Sequence, residues 1–203
     1  MSFPLAINRY RALIFDLDGT LIDSMPWHVL AWRQVGLEHG FEVDPKFIYD
    51  HGGVSSHDVV RMFKEMGHEV GDIDEFVSRK VELYRQNIDK VQAFPKILEI
   101  LVKAKQNGVK IGIGSGTQRM NAVDILKRLN IESLVDVIVS ANDVKRHKPF
   151  PDTFLQAQEA LGVEKKDCLI FEDGPLGLEA AKNAGMDCVF VRSGEFVSYS
   201  LFN

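Results

Sequence analysis

The chain has 203 residues, a length that fits one domain or one domain carrying an insert. Its hydrophobic content of 45% and charged content of 26% are ordinary for a globular protein with a sizeable buried core. The formal net charge is -5 and no block of Lys or Arg is present, which argues against a nucleic-acid or membrane partner. The sequence shows neither a secretory leader nor a membrane-spanning run, so we expect a cytoplasmic protein, and we expect a monomer.

Five short apolar runs predict the strands of a buried sheet. They are enriched in Val, Ile or Phe and lack strict alternation, as is typical of parallel strands covered on both faces. Helical patterns separate the later runs, and one of them has Pro95 near its first turn and Gly108 as a stop. This alternation predicts an α/β fold with a doubly wound, mostly parallel sheet. The runs are "ALIFD" from Ala12, "VKIGIGS" from Val109, "VDVIVS" from Val135, "CLIFED" from Cys168 and "DCVFV" from Asp187.

The interval between the first and second predicted strands is different. From about Ser24 to Ala93 it contains no convincing strand, and its pattern indicates several amphipathic helices. About seventy residues is far more than a crossover connection between strands needs. We therefore expect an inserted helical domain at 24–93 and an α/β core built from 1–23 and 94–203.

Acidic and polar side chains follow four of the predicted strands. Because ligands of open α/β sheets bind beyond the carboxyl ends of the strands, these side chains should meet at one edge. A lone Asp after a strand is commonly a helix cap, but four crowded acids would not all ionise without a cation between them. Oxygen ligands of this kind suit Mg²⁺, which is commonly shared with a substrate phosphate. The side chains are Asp16, Asp18 and Thr20, then Ser115, then Lys148, then Glu172 and Asp173.

Four motifs, "DLDGT", "GSGT", "HKPFPD" and "FEDGPLG", resemble in order those of the haloacid dehalogenase-like hydrolases. The resemblance covers essentially the whole chain, including the helical insert, which that family calls a cap. Within the family the chain is most similar to the branch containing β-phosphoglucomutase and small sugar-phosphate phosphatases. The segment "DVKRHKPFPDTF" in particular resembles bacterial fructose-1-phosphate phosphatase-like proteins. The resemblance implies a Rossmann-like core with a small helical cap.

The residue chemistry and the resemblance point to the same two catalytic roles. Asp16 is the predicted nucleophile, which would form an aspartyl-phosphate. Asp18 is the predicted general acid for the leaving alkoxide and then the base for the attacking water. Ser115 and Lys148 are expected to hold the transferring phosphoryl oxygens. The expected Mg²⁺ environment is Asp16, the main-chain carbonyl of Asp18, Glu172 and Asp173.

A small phosphorylated sugar is the expected substrate, and the cap is expected to close over it. Two alternatives stay open, namely a β-phosphoglucomutase and a non-catalytic binding protein on the same scaffold. In the mutases that the chain resembles, an arginine after the G-V-S of the cap grips a second phosphate. This chain has Ser56 there, which favours hydrolysis. The expected substrate contacts are Thr20 and Gly116 from the core, and His28, Ser55, Ser56 and Lys80 from the cap.

Overall fold

A computed structural model of the chain describes residues 7–202, except for the side chain of Asn8. One sheet contains six strands, and β3-β2-β1-β4-β5-β6 is their order across it. All neighbouring pairs are parallel except β5 and β6, which are antiparallel. The mostly parallel α/β sheet predicted from the sequence is confirmed, and β6 is an addition to it. The strands are β1 (Ala12–Phe15), β2 (Lys110–Gly114), β3 (Val137–Val139), β4 (Cys168–Glu172), β5 (Asp187–Arg192) and β6 (Glu195–Ser200).

Helices surround this sheet and also fill the long interval after β1. Prolines lie in the first turn of several of them, where the missing N–H costs nothing. Left-handed glycines at Gly162 and Gly185 end two of the later ones. Among the described residues, no helix is both long and apolar enough to cross a membrane. The helices are α1 (Met25–Glu38), α2 (Pro45–Asp50), α3 (Ser56–Glu65), α4 (Ile73–Arg85), α5 (Pro95–Gln106), α6 (Arg119–Arg128), α7 (Asp152–Leu161) and α8 (Pro175–Ala184).

The central strand β1 is buried on both faces of the sheet. Leu13 and Phe15 belong to one apolar cluster, which includes Leu101 of α5. Ile14 belongs to another cluster, together with Phe154 of α7. Burying side chains of this size contributes about 1.5–3 kcal/mol each, so the strand is held firmly from both sides. The loop that follows β1 therefore starts from a rigid support.

Helices α1 to α4 form the segment that the sequence predicted as a cap. Its two connections to the sheet run side by side, because Ile22 and Ala93 form an isolated antiparallel bridge. The Asp23 amide also donates to the carbonyl of Gln92 at 2.8 Å. The boundaries 1–23, 24–93 and 94–203 stay a prediction. The cap has an aromatic interior, which contains Trp32, Phe41, Phe63 and Phe76.

Candidate active site

The parallel register brings the ends of neighbouring strands to one edge of the sheet. Phe15, the last residue of β1, pairs with Ile113 of β2 on one side and with Phe171 of β4 on the other. The next residue, Asp16, donates its amide to the carbonyl of Phe171 at 2.9 Å. Because the three strands end together, the polar residues that follow them meet above this edge. The site is thus built by the sheet and its loops.

Lys148 forms the electrostatic centre of this edge. Its Nζ donates to Oδ1 of Asp16 and to Oε1 of Glu172, both at 2.6 Å, and all three residues are at most 2% exposed. Burial opposes the charged form of Lys148, but the two carboxylates raise its pKa above the ordinary value. The other oxygen of Glu172 accepts the amides of Asp173 and Gly174 at 2.7 Å. Lys148 therefore stays an ammonium ion with two carboxylate partners.

Asp16, Glu172 and Asp173 form a compact group of acids. One carboxylate oxygen from each lies within 4.8 Å of the others. Burial raises the pKa of Asp16 well above its usual range, and the nearby carboxylates raise it further against the effect of Lys148. Burial and Glu172 raise the pKa of Asp173 to about 7. One lysine cannot balance so many carboxylates, and this oxygen-only donor set fits a divalent cation such as Mg²⁺.

The "DLDGT" loop positions Asp173. Thr20, which is fully buried, donates its hydroxyl to Oδ1 of Asp173 at 2.8 Å. Gly19 has a φ of 86°, and a methyl group on it would lie 2.2 Å from the other oxygen of Asp173. Only glycine therefore fits this close approach in the left-handed conformation. Thr20, which was expected to contact substrate, orients an acid of the cluster and does not line the cavity described below.

Three donors hold the side chain of Asp18. Its carboxylate accepts the hydroxyls of Ser24 and Thr117, both at 2.6 Å, and lies 3.0 Å from Nε2 of His28. Burial opposes ionisation of Asp18, but His28 and the two hydroxyls lower its pKa well below the usual range. The side chain is therefore a carboxylate, and it lies outside the group formed by Asp16, Glu172 and Asp173. The expected metal contact through its main-chain carbonyl stays a prediction.

His28 connects Asp18 to the interior of the cap. Nζ of Lys80 lies 2.9 Å from Nδ1 of His28, and an ammonium group can only donate, so Nδ1 is the acceptor. Nε2 then carries the proton and donates to Asp18. Burial and the Lys80 charge lower the pKa of His28, which keeps the ring neutral. Tyr84 stacks on this ring at 4.0 Å and 1°, and Nζ of Lys80 lies 4.8 Å from the ring of Trp32.

A cavity that is partly open to solvent lies between the cap and the core, and residues of both line it. Ser55 was expected to contact the substrate, but it caps α3 instead, donating its hydroxyl to Asp58 at 2.7 Å. The predicted site residues that line the cavity are Asp16, Asp18, Ser115 and Gly116 from the core, and His28, Ser56 and Lys80 from the cap.

Glycines make the contact that closes the cap over this cavity. A methyl group on Gly116 of the core would lie 2.3 Å from the carbonyl oxygen of Gly53 in the cap. A methyl group on Gly174 would lie 3.3 Å from the carbonyl oxygen of Gly52. Backbone thus meets backbone at the rim, and a side chain at Gly116 would hold the two parts apart. Gly116, an expected substrate contact, thus also allows the close approach of the cap to the core.

Three residues of the site were not predicted from the sequence. Thr117, which donates to Asp18, follows the predicted Ser115 directly in "GSGT" and could have been inferred from that loop. Tyr84 lies four residues after Lys80, a spacing that places both on one face of a helix. His51 lines the cavity and begins the "HGGVSSHD" segment, in which Ser55 and Ser56 were the expected contacts and His51 was given no role.

A mostly parallel sheet with an aspartate directly after its first strand, a lysine bridging that aspartate to a second acid, and a helical cap over the cavity indicates an α/β enzyme with an acidic active site. The family model described as "Haloacid dehalogenase-like hydrolase" matches residues 13–191, and the chain belongs to that family.

Its relatives carry two kinds of activity in their names. The chain is 35% identical over 186 residues to fructose-1-phosphate phosphatase YqaB of Escherichia coli (strain K12), which covers 91% of this chain and 98% of that protein. It is 32% identical over 193 residues to β-phosphoglucomutase of Bacillus subtilis (strain 168), with 91% and 84% covered. The solved structure of β-phosphoglucomutase from Clostridium difficile matches with a TM-score of 0.82 at 30% identity, covering 89% of this chain and 84% of that one. The chain is therefore similar both to sugar-phosphate phosphatases and to phosphoglucomutases.

Proposed function

We propose that this protein is a Mg²⁺-dependent phosphatase that hydrolyses a small sugar phosphate resembling fructose 1-phosphate. The observation that carries the proposal is the setting of Asp16 in the wall of the cavity. Lys148 binds its Oδ1, whereas Oδ2 has no hydrogen-bond partner among the described residues. A carboxylate oxygen that is free in this way can attack phosphorus to form an aspartyl-phosphate.

Asp18 has a role in each half of the reaction. As Asp16 attacks, the ester P–O bond breaks and the leaving alkoxide needs a proton, which Asp18 donates. Asp18 is then a carboxylate, and it takes a proton from the water that hydrolyses the aspartyl-phosphate. The three donors around Asp18 favour this second, ionised form. At least one of these hydrogen bonds must rearrange when Asp18 carries the proton that the first step needs.

The phosphoryl group is bound by residues of the core. Lys148 uses two of its three N–H donors on carboxylates, so one remains for a phosphoryl oxygen. Ser115 lines the cavity beside Asp16 and offers a hydroxyl. Asp16, Glu172 and Asp173 would hold Mg²⁺, which when bound offsets the charge of the phosphate and the carboxylates.

The residues of the cap favour hydrolysis of the phosphoryl group over its transfer to a second position of the sugar. Ser56 lines the cavity without a charge, and Lys80, which uses one of its three N–H groups on His28, is the lysine that the cap places there. A mutase must hold a phosphate dianion at each end of the sugar, and one hydroxyl replaces a guanidinium poorly. The β-phosphoglucomutase alternative rests on the similarity to such enzymes and on the His28–Lys80 contact.

Phosphate release from a panel of sugar phosphates, with fructose 1-phosphate among them, tests the proposal. We expect inorganic phosphate to appear without any bisphosphate activator, EDTA to stop the reaction, and Mg²⁺ but not Ca²⁺ to restore it. Rapid conversion of β-glucose 1-phosphate to glucose 6-phosphate, with a trace of glucose 1,6-bisphosphate and little free phosphate, would establish the mutase instead. Absence of turnover on every phosphate ester would leave the non-catalytic alternative.

A further inference from the structure

His51 lies at the end of α2 and lines the same cavity as Asp16 and Asp18. Its ring is held in two ways. Nδ1 lies 2.7 Å from the carbonyl oxygen of Phe47, and the ring stacks on that of Phe47 with 4.1 Å between centroids. A carbonyl only accepts hydrogen bonds, so Nδ1 is the protonated nitrogen. In the neutral ring Nε2 is therefore left as an acceptor.

The other nitrogen groups around the cavity have partners, and the two lysines, which keep free N–H donors, offer no acceptor. Lys80 donates to His28, and His28 is bound to Asp18 through its second nitrogen. Lys148 is shared between Asp16 and Glu172. By contrast, Nε2 of His51 has no hydrogen-bond partner among the described residues. Because the lysines can only donate, Nε2 of His51 is the free nitrogen acceptor that the described cap residues offer at this cavity.

His51 also lies directly beside the contact between the cap and the core. The residues directly after it, Gly52 and Gly53, are the ones whose carbonyl oxygens meet Gly174 and Gly116 of the core. In this arrangement the ring lines the cavity that contains Asp16. A bond from substrate to His51 would therefore be made only in the closed state, where it favours reaction over release.

We propose that Nε2 of His51 accepts a hydrogen bond from a hydroxyl group of the substrate, and that His51 thereby selects hydroxyl-rich phosphate esters. The inference rests on the proposed function and identifies the cap residue that recognises the sugar. Phosphate oxygens at physiological pH are acceptors, so an acceptor nitrogen repels a second phosphate and prefers a hydroxyl. This preference complements the uncharged Ser56 in the same cavity.

His51→Asn and His51→Gln separate recognition from local structure. The Asn amide can still donate to the Phe47 carbonyl but offers nothing at the place of Nε2, whereas the Gln amide reaches that place with an acceptor. The probes are fructose 1-phosphate and p-nitrophenyl phosphate, which has no hydroxyl. For His51→Asn we expect the ratio of kcat/KM for the sugar phosphate to kcat/KM for p-nitrophenyl phosphate to fall about tenfold, the effect of one lost hydrogen bond. His51→Gln should recover part of that ratio.

His39 provides the matched control. It ends α1 as His51 ends α2, places Nδ1 2.8 Å from the carbonyl oxygen of Val35, and packs on Phe76, but it does not line the cavity. His39→Asn should leave the ratio unchanged. An unchanged ratio in His51→Asn, or an equal fall in both Asn variants, overturns the inference. Wild-type protein that hydrolyses p-nitrophenyl phosphate but no sugar phosphate refutes the proposed function instead.

Discussion

The core and the cap contribute to the site in different ways. In the core, polar groups bind polar groups, as Lys148 does with Asp16 and Glu172 at the ends of strands that are buried on both faces. In the cap, the two histidines that line the cavity stack on aromatic rings, His28 on Tyr84 and His51 on Phe47. Apolar cap residues such as Met25, Ile48 and Val59 line the cavity beside these polar groups.

This difference indicates that the core and the cap have different roles in catalysis. Charges that neutralise one another in the core suit a fixed chemical step, because their geometry does not depend on the ligand. Aromatic supports with one polar tip suit recognition, since they orient a single donor or acceptor at low cost in side-chain entropy. Changes in the core should therefore reduce turnover of every ester, and changes in the cap should depend on the substrate or on closure.

The largest effect is expected from Asp16→Asn. An amide cannot form the aspartyl-phosphate, so phosphate release should fall by about four orders of magnitude or more for all esters. Initial rates measure this, and circular dichroism checks that the fold is retained. Asp89→Asn, which alters an exposed carboxylate of the cap, should leave turnover intact. Retention of a tenth of wild-type turnover in Asp16→Asn would contradict the nucleophile assignment.

Asp18→Asn should cost about 10²–10⁴-fold in turnover, since proton transfer from a positioned group contributes that much. Leaving groups of low pKa need little protonation, so p-nitrophenyl phosphate should be affected less than a sugar phosphate. A plot of log kcat/KM against leaving-group pKa for both proteins measures the difference. Parallel plots would show that Asp18 does not protonate the leaving group.

Gly116→Ala tests the glycine contact. The added methyl group would lie 2.3 Å from the carbonyl oxygen of Gly53, so the cap cannot close fully and turnover should fall about 10²-fold. Thermal stability should change little, because the cap can stand open. Gly174→Ala is the graded comparison, with 3.3 Å to the oxygen of Gly52, and should lose only a few-fold. Equal losses in the two variants would argue against a closure mechanism.

Lys80→Met should change stability in a pH-dependent way. Burial lowers the pKa of Lys80 from 10.5 to about 8, so below pH 8 the folded state carries a charge that costs about 3 kcal/mol. Between pH 8 and 10.5 the unfolded chain binds this proton and the folded protein does not, so wild-type stability rises with pH. Methionine removes both the cost and the rise. Urea unfolding from pH 7 to 10 should show the variant's advantage shrinking, whereas parallel curves would contradict the assignment.

The acidic edge could be predicted because sheet geometry is general. The residue after a buried parallel strand lies at the ligand-binding edge whatever the rest of the chain does, and this placed Asp16, Ser115 and Glu172 together. Sheet geometry alone does not predict which neighbouring side chain forms a hydrogen bond with each acid. Thr20 was expected to meet the substrate and binds Asp173 instead, because Gly19 lets the loop turn onto that acid.

The cap contacts depend on packing that no local pattern encodes. His51 lines the cavity only because α2 ends beside the glycine contact. Strand β6 was missed for a different reason. The Ser193–Gly194 turn before it has φ values of 49° and 74°, the two left-handed residues of a tight hairpin, and this Ser-Gly signal was available in the sequence.

The backbone contact between Gly53 and Gly116 also bears on the speed of the catalytic cycle. A rim made of glycines has no side-chain rotamers to immobilise, so closing forfeits little side-chain entropy and opening uncovers little apolar surface. Neither state is then strongly preferred by the empty protein, and the bound ester supplies most of the bias towards closure. Once the ester is cleaved that bias disappears. The cap can then open and release the product without breaking extensive side-chain contacts at the glycine contact.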